Sequence, residues 1–114
     1  MLSLVIYDSY GKAGDNGEYL YRYIQQNYPW IHLTFLLSRN SKDWNRLWMD
    51  GFNLYPFDGD DLDLILESSS YILFSKDVCL NMNMTSSYKN KSIFLQHGTL
   101  SLFNDVGFYL KNCI

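Results

Sequence analysis

The sequence predicts an α/β fold in which a parallel sheet of five strands lies between two layers of helices. Its apolar runs, of which residues 2–7 are the clearest, are continuous, as in strands that are buried on both faces of a parallel sheet. Between them lie segments with one apolar face, which is typical of crossover helices. The chain has 114 residues and is 47% hydrophobic, so it has the length and composition of one domain with a packed core.

The first strand and the first helix have clear boundaries. The apolar run at residues 2–7 ends at Asp8 and is followed by a loop that contains glycines. Asp15 or Asn16 is placed to cap the next segment, which has apolar residues at helical spacing. That helix ends before Pro29, because proline disfavours helical backbone at the preceding residue.

The remainder of the chain continues to alternate strands with helices. Ser41 is placed to cap the second helix, and Gly51 suits the left-handed residue that follows a helix end. Asp60 and Asp61 precede the third helix, where carboxylates favour the positive end of the helix dipole. The pattern predicts further strands at residues 31–37, 52–57, 71–74 and 93–96, a third helix at 62–66 and a polar loop at 81–90.

The order of the strands decides where a ligand binds. Strands joined by crossover helices are parallel, and the usual order of five such strands is 3-2-1-4-5, as in Rossmann-like three-layer sandwiches. In these sheets ligands bind beyond the carboxyl ends of the strands, next to the point where the strand order reverses. The sequence therefore predicts one functional rim, formed by residues 8–16, 38–40, 75–77 and 96–99.

Composition and charge exclude several classes of protein. Nine basic and twelve acidic residues give a net charge of −3, and no cluster of Lys or Arg indicates a nucleic-acid surface. No apolar run approaches the roughly 20 residues that span a bilayer, and the N-terminus does not have the basic segment of a signal peptide. Cys79 and Cys113 have no companion ligands for zinc. We therefore expect a cytoplasmic protein without metal, cofactor, nucleic-acid partner or transmembrane segment.

His97 is the most specific candidate for catalysis. It follows an apolar strand directly and precedes Gly98, which allows close approach of a ligand. A histidine at the carboxyl end of a strand can act as a general base or bind a phosphate, because imidazole titrates near neutrality. The alternative is a histidine that only hydrogen-bonds its own loop. His32 lies inside a predicted strand and is expected to be structural.

The loop after the first strand offers a weaker signal, for phosphate binding. Gly11, Gly14 and Gly17 precede or open a helix whose N-terminus favours anions. Their G-x-x-G-x-x-G spacing differs from the dinucleotide fingerprint, and the lysine–hydroxyl pair of a Walker loop is not present. Asp8 and Asp15 oppose a phosphate by their charge, so an ordinary connecting loop is the alternative.

Three stretches of the sequence carry a family resemblance. They are DNGEYL at residues 15–20, FLLSRNSKDW at residues 35–44 and IFLQHGT at residues 93–99. In this order and separation they resemble the CDP-glycerol glycerophosphotransferase family, the enzymes of teichoic-acid and related capsule-polymer synthesis. The third stretch is the most specific, and the resemblance covers about residues 5–99.

The resemblance implies a fold, an activity and a set of site residues. Members of this family resemble GT-B glycosyltransferases, in which two Rossmann-like lobes enclose the active site. They transfer glycerol phosphate from CDP-glycerol to a hydroxyl group of a polyol-phosphate or polysaccharide acceptor and release CMP. By this resemblance His97 is the catalytic base, and the substrate-binding positions fall on the matching stretches. These positions are Asp15, Asn16, Ser38, Arg39, Gly98 and Thr99.

The resemblance ends shortly after His97. We expect residues 1–99 to form the N-terminal lobe and residues 100–114 to be a divergent tail, as a truncation would leave. The second lobe, which holds most of the CDP-alcohol pocket in such folds, is expected to be missing, so we expect no turnover by this chain alone. The resemblance also implies a peripheral position at the inner face of the membrane.

Two other functions stay open. A small flavodoxin-like module would bind a nucleotide or phosphate group in the loop at residues 9–16, although that loop has few hydroxyl groups. An interaction domain would pair with a separately encoded second lobe through exposed aromatic side chains. The aromatic residues available for such an interface are Tyr10, Tyr19, Tyr21 and Trp30.

Overall fold

Strands and helices alternate along the chain and build one parallel sheet. The computed structural model describes residues 2–9, 11–75 and 91–95. Within them the elements are β1 (Ser3–Tyr7), α1 (Asn16–Asn27), β2 (His32–Leu36), α2 (Trp44–Met49), β3 (Leu54–Tyr55), α3 (Leu62–Ser68), β4 (Tyr71–Phe74) and β5 (Ser92–Phe94). The strands lie in the order β3-β2-β1-β4-β5, and every neighbouring pair is parallel. The predicted α/β, Rossmann-like fold and its strand order are confirmed.

The sheet places the carboxyl ends of its strands side by side. Tyr7 of β1 is opposite Phe74 of β4, which in turn is opposite Phe94 of β5. The backbone N–H of Leu95 then donates to the carbonyl oxygen of Phe74 (2.7 Å). Parallel pairing with β1 brings the end of β2 to the same edge. The carboxyl ends of these four strands therefore lie at one edge of the sheet, as the predicted rim requires.

The two faces of the sheet carry separate hydrophobic cores. Successive residues of a strand point to opposite faces, so Leu4 and Ile6 of β1 belong to one core, and Val5 and Tyr7 belong to the other. Helices α1 and α2 cover the first core, and α3 covers the second through Leu66. Because both faces are covered, the central strands must be apolar throughout, which explains their continuous apolar runs.

Local sequence signals explain the helix ends, with one exception. Asp15 is the N-cap of α1, and its Oδ1 accepts a hydrogen bond from the Asn16 N–H (2.8 Å), as predicted. Gly51 follows α2 with a left-handed φ of +86°. The prediction that Ser41 caps α2 is wrong. The N-cap is Asp43, and the Ser41 hydroxyl accepts from the Asp43 N–H (3.1 Å) in the turn before the helix.

Lys91 connects the segment before β5 to the end of α3. Its ammonium group donates to the backbone carbonyls of Leu66, Glu67 and Ser69 at 2.6, 3.0 and 3.0 Å. Carbonyls at a helix C-terminus have no partner within the helix, and a cation there also favours the helix dipole. The interaction therefore holds the edge strand β5 to the helix that precedes β4.

Replacing Lys91 by Met is expected to lower the free energy of unfolding by about 1.5 kcal/mol, because three carbonyls lose a charged donor. Urea unfolding followed by far-UV circular dichroism measures the change. Lys42→Met is the matched control, since Lys42 is exposed and makes no ion pair or hydrogen bond within the described residues. It is expected to change stability by less than about 0.5 kcal/mol. Equal effects of the two substitutions would contradict a capping role.

Candidate functional site

The described part of the predicted rim contains two features at the carboxyl edge of the sheet. A buried carboxylate, Asp8, lies where β1 ends and contacts Ser75 at the end of β4. A cleft lies between the loop that precedes α1 and the loop that joins β2 to α2. An ionic network joins the two features. At one end the backbone N–H of Glu18 donates to Asp8, and at the other end Asp43 lines the cleft.

Asp8 collects four hydrogen bonds on one buried carboxylate. The residue is 2% exposed. Its Oδ2 accepts from the backbone N–H groups of Asp15 (3.1 Å) and Glu18 (3.0 Å). Its Oδ1 accepts from the Gly17 N–H (2.5 Å) and from the Ser75 hydroxyl (2.6 Å). The Asp8 carboxylate at the end of β1 thus accepts hydrogen bonds from backbone N–H groups at the start of α1. These hydrogen bonds anchor the helix on the sheet.

The close approach of Asp8 to α1 requires glycine at position 17. A Cβ atom there would lie 2.5 Å from Asp8 Oδ1 and 3.0 Å from the carbonyl oxygen of Tyr7. The absence of a side chain at Gly17 therefore makes room for the carboxylate of Asp8. From the sequence, a phosphate was the other group that this glycine could accommodate.

The carboxylate of Asp8 stands where an anionic ligand of α1 would bind. Burial raises the pKa of Asp8 above its ordinary value, whereas the hydrogen bonds from Ser75 and from the backbone of residues 15, 17 and 18 act in the opposite direction. A phosphate at these N–H groups would have to displace the carboxylate and would be repelled by it. The arrangement favours the ordinary connecting loop over a phosphate cradle at this helix end.

Glu18 is the centre of an ion-pair network that joins α1 to α2. Its side chain is 5% exposed, and Arg46 binds it through two hydrogen bonds of 2.9 and 2.8 Å. Arg22 also donates to Glu18 (3.1 Å) and pairs with Asp50 (2.8 Å). The hydrogen bonds from Arg46 and Arg22 outweigh burial and hold the pKa of Glu18 below its ordinary value.

Asp43 extends this network to the loop after β1. Its Oδ2 accepts from the Ala13 N–H (2.8 Å), and its Oδ1 accepts from Arg46 (3.2 Å). The hydrogen bond from Ala13, supported by Arg46, lowers the pKa of Asp43. The loop after β1 is therefore held against the loop after β2 by a carboxylate whose charge is compensated.

The cleft between these two loops has a volume of about 630 Å³. It is lined by Gly11, Lys12, Ser38, Asn40, Ser41, Lys42 and Asp43. A cleft of this volume falls within the range of small-molecule sites. Its lining brings two ammonium groups, two hydroxyl groups and an amide to one place.

Ser38 and Arg39 follow β2, where the sequence places them, but they lie in different environments. Ser38 lines the cleft, and its hydroxyl accepts from the Asn40 N–H (3.3 Å). Arg39 is exposed, and its Nε donates to Asp58 (3.1 Å) in the loop that follows β3. Both residues lie on the predicted rim, and their substrate-binding roles stay predictions.

Asp15 and Asn16 lie at the start of α1. Asp15 caps the helix as described above, and Asn16 is 6% exposed. Their proximity to Asp8 follows from the hydrogen bond between the Asp15 N–H and Asp8 Oδ2. Their roles in substrate binding also stay predictions.

The predicted residues His97, Gly98 and Thr99 lie outside the described residues, as does the boundary predicted at residue 99. The last described residue before them is Leu95, which is buried at the carboxyl edge of the sheet. His32 begins β2 at the opposite edge, where it is exposed.

The sequence does not predict the partners of Glu18, nor that Ser41, Lys42 and Asp43 line a cleft with the predicted rim residues. Glu18 and Arg46 are 28 residues apart, and no local pattern joins them. The i, i+4 spacing of Glu18 and Arg22 was the one local sign of an ion pair on α1. Lys12 lies in the segment 8–16 that the sequence assigns to the rim, whereas Lys42 lies outside the segment 38–40, and only the fold brings the two lysines to one cleft.

Comparisons with known proteins leave the function to be argued from the site. No protein-family model, no curated protein and no solved structure matches the chain. Among residues 2–9, 11–75 and 91–95, no helix has the length and apolar character to cross a membrane. The same residues hold no group of three or more His, Cys, Asp or Glu side chains that fits a metal ion.

Proposed function

We propose that residues 1–99 are the N-terminal lobe of a CDP-glycerol glycerophosphotransferase-like enzyme. The reaction transfers glycerol phosphate from CDP-glycerol to a hydroxyl group of a polyol-phosphate or polysaccharide acceptor and releases CMP. In this proposal a second Rossmann-like lobe supplies most of the donor pocket, and this chain alone has no transfer activity.

The observation that carries the proposal is the common carboxyl edge of β2 and β5. Ser38 and Arg39, which match the Ser-Arg pair of the family, follow β2 at this edge. Leu95 extends the pairing of β5 with β4 at the same edge, and His97 is two residues further along the chain. The parallel order β3-β2-β1-β4-β5 supports a Rossmann-like lobe with its ligands at this rim.

The strand order also indicates which of the proposed site residues can contact the same part of a substrate. β1 and β4 lie between β2 and β5, so the ends of β2 and β5 are three strand spacings apart, about 14 Å. Arg39 and His97 are then expected to act on different parts of the substrates. Arg39 would contact a phosphate remote from the reacting centre, and its exposed pair with Asp58 is weak enough to open for this.

His97 is the proposed general base. Neutral imidazole takes the proton of the acceptor hydroxyl while the hydroxyl oxygen attacks the phosphorus that carries the glycerol. The bond from this phosphorus to the bridging oxygen of the diphosphate breaks, and CMP leaves with the electron pair. The remaining barrier is lowered by positioning and by compensation of the phosphate charge.

The arrangement at Asp8 weighs against the flavodoxin-like alternative. Such a module needs backbone N–H groups after β1 for its phosphate, yet those of residues 15, 17 and 18 donate to Asp8. The interaction-domain alternative is supported only in part. Tyr19 and Trp30 are 56% and 58% exposed, whereas Tyr21 is buried against Phe52 with ring centroids 4.0 Å apart. Tyr10 lies outside the described residues.

The experiment measures CMP release from CDP-glycerol with a glycerol-phosphate primer. We expect no release by this chain alone and release after residues 1–99 are joined to the second lobe of a family member. His97→Ala in the joined protein is expected to lower the rate at least about 100-fold, because a general base is lost. His32→Ala is the matched control and is expected to change the rate less than about twofold, since His32 lies at the opposite edge.

Two outcomes would contradict the proposal. CMP release by the chain alone would show that no second lobe is needed. Equal rates for His97→Ala and His32→Ala would remove the proposed base from the reaction.

A further inference from the structure

The cleft of 630 Å³ between the loops after β1 and β2 combines positive charge with hydrogen-bond donors. Lys12 and Lys42 contribute the positive charge, and both are exposed. Within the described residues neither ammonium group forms a salt bridge, although the charge of Lys12 contributes to lowering the pKa of Asp43. This concentration of positive charge stands out on a chain with a net charge of −3. It favours an anionic occupant.

The acidic residue in the wall of the cleft offsets only part of this charge, since the lining has two ammonium groups and one carboxylate. Asp43 uses both carboxylate oxygens, one for the Ala13 N–H (2.8 Å) and one for Arg46 (3.2 Å). Arg46 does not line the cleft, and because it also binds Glu18 it offsets only part of the charge of Asp43. The two lysines keep their attraction for a ligand.

The hydroxyl groups of the cleft are oriented by the backbone. Ser38 Oγ accepts from the Asn40 N–H (3.3 Å), and Ser41 Oγ accepts from the Asp43 N–H (3.1 Å). Each oxygen accepts one backbone N–H, and its hydroxyl proton is available to donate to a ligand. Such donors suit the oxygens of a phosphate or of a polyol.

The two walls of the cleft are tied together before any ligand binds. Asp43 joins the loop after β2 to Ala13 in the loop after β1. Arg46 links Asp43 to the buried Glu18 on α1. A site whose walls are held in place loses less conformational entropy on binding, which favours affinity.

We propose that this cleft binds a phosphorylated small molecule whose phosphate lies between Lys12 and Lys42. The hydroxyl groups of that molecule would then lie near Ser38, Asn40 and Ser41. The shared chemistry is a phosphate group beside hydroxyl groups, which a polyol phosphate and a nucleotide both carry. The choice of these two ligands rests on the transferase proposal, whereas the cleft itself does not use His97. Binding can therefore be present when CMP release fails, and the reverse also holds.

The test is isothermal titration calorimetry of the whole chain with inorganic phosphate, glycerol 3-phosphate and CDP in low salt. We expect glycerol 3-phosphate or CDP to bind more tightly than inorganic phosphate. We expect each of Lys12→Gln and Lys42→Gln to weaken binding about fivefold, and the double substitution about 20-fold. The binding constant is expected to fall as salt is added, since exposed charges are screened.

The matched control is the double substitution Lys12→Arg and Lys42→Arg, which keeps both charges. It is expected to stay within about threefold of the parent chain, because a guanidinium also binds phosphate. Far-UV circular dichroism verifies that all variants fold, which the exposure of both lysines favours. Preference for glycerol 3-phosphate supports the site with a polyol phosphate as its ligand, and preference for CDP supports it with a nucleotide. Two results would overturn the proposal. One is that the parent chain binds none of the ligands at about 10 mM, and the other is that the Gln double variant binds as tightly as the parent chain.

Discussion

Asp8→Ala is expected to lower the free energy of unfolding by about 3 to 5 kcal/mol, which is large for a single substitution. The carboxylate is 2% exposed and accepts three backbone N–H groups and the Ser75 hydroxyl. Alanine removes the two oxygens that accept these four hydrogen bonds, and buried donors without acceptors carry their full desolvation cost. Urea unfolding followed by tryptophan fluorescence gives the change in free energy.

Asp60→Ala is the matched control for Asp8→Ala. Asp60 is exposed, and it makes no hydrogen bond or ion pair within the described residues. It is expected to change the free energy of unfolding by less than about 0.5 kcal/mol. A loss below about 1 kcal/mol for Asp8→Ala would mean that water replaces the carboxylate with little cost. The end of β1 would then not be the anchor of α1.

The role of Asp8 has a consequence for function. In many parallel sheets the helix after the first strand binds the phosphate of a ligand at its N-terminus. Here the protein supplies its own anion to that position, and Gly17 is shaped for it. A ligand at the rim would therefore need other donors, and the described residues offer the lysines and hydroxyl groups of the neighbouring cleft.

The sheet could be predicted from the sequence because each strand depends on local apolar character. Residues 2–7 and 71–74 are apolar almost throughout, and they pair as β1 and β4 as predicted. β3 is shorter than the predicted run at 52–57. Only Leu54 and Tyr55 pair with β2, since Pro56 has no N–H to continue the ladder.

The candidate site could be predicted only as a rim. The residues after each strand were assigned to one edge, because parallel strands end together. The contacts within the rim join residues far apart in sequence, such as Asp8 and Ser75 at a separation of 67 residues. No periodicity or spacing carries such a pairing. The sequence predicts that the charge of Asp8 opposes a phosphate, and the structure shows that the Asp8 carboxylate itself occupies the helix end.

Glu18→Gln is expected to lower the free energy of unfolding at pH 7 by about 2 kcal/mol. The carboxylate is 5% exposed and is bound by Arg46 and Arg22. Removing one partner of a buried ion pair is strongly destabilising. The effect is reduced here because Arg46 and Arg22 are 45% and 34% exposed and regain water when Glu18 is neutral. Urea unfolding measures it.

The pH dependence of this substitution follows from the sign of the pKa shift. The pKa of Glu18 lies below its ordinary value of 4.5 in the folded chain. The folded state then binds the proton less tightly than the unfolded chain, so the contribution of Glu18 is present above pH 4.5 and is lost as the pH falls through the lowered pKa. The difference in stability between the parent chain and Glu18→Gln is expected to shrink over that range. Asp8 contributes with the opposite sign, and it cancels in this comparison because both chains contain it.

Asp58→Asn is the matched control for Glu18→Gln, because it removes an exposed ion pair instead of a buried one. Arg39 and Asp58 form an ion pair with 60% and 67% exposed side chains, so its loss is expected to change stability by less than about 0.5 kcal/mol at any pH. A similar loss for Asp58→Asn and Glu18→Gln, or a Glu18→Gln effect that persists unchanged at low pH, would contradict a network held by the charge of Glu18.

If the Glu18 effect follows pH as expected, the loops that form the cleft are held by that charge, since Arg46 binds Glu18 and Asp43 together. Weaker binding of glycerol 3-phosphate by Glu18→Gln would then follow from looser walls, although Glu18 itself does not line the cleft.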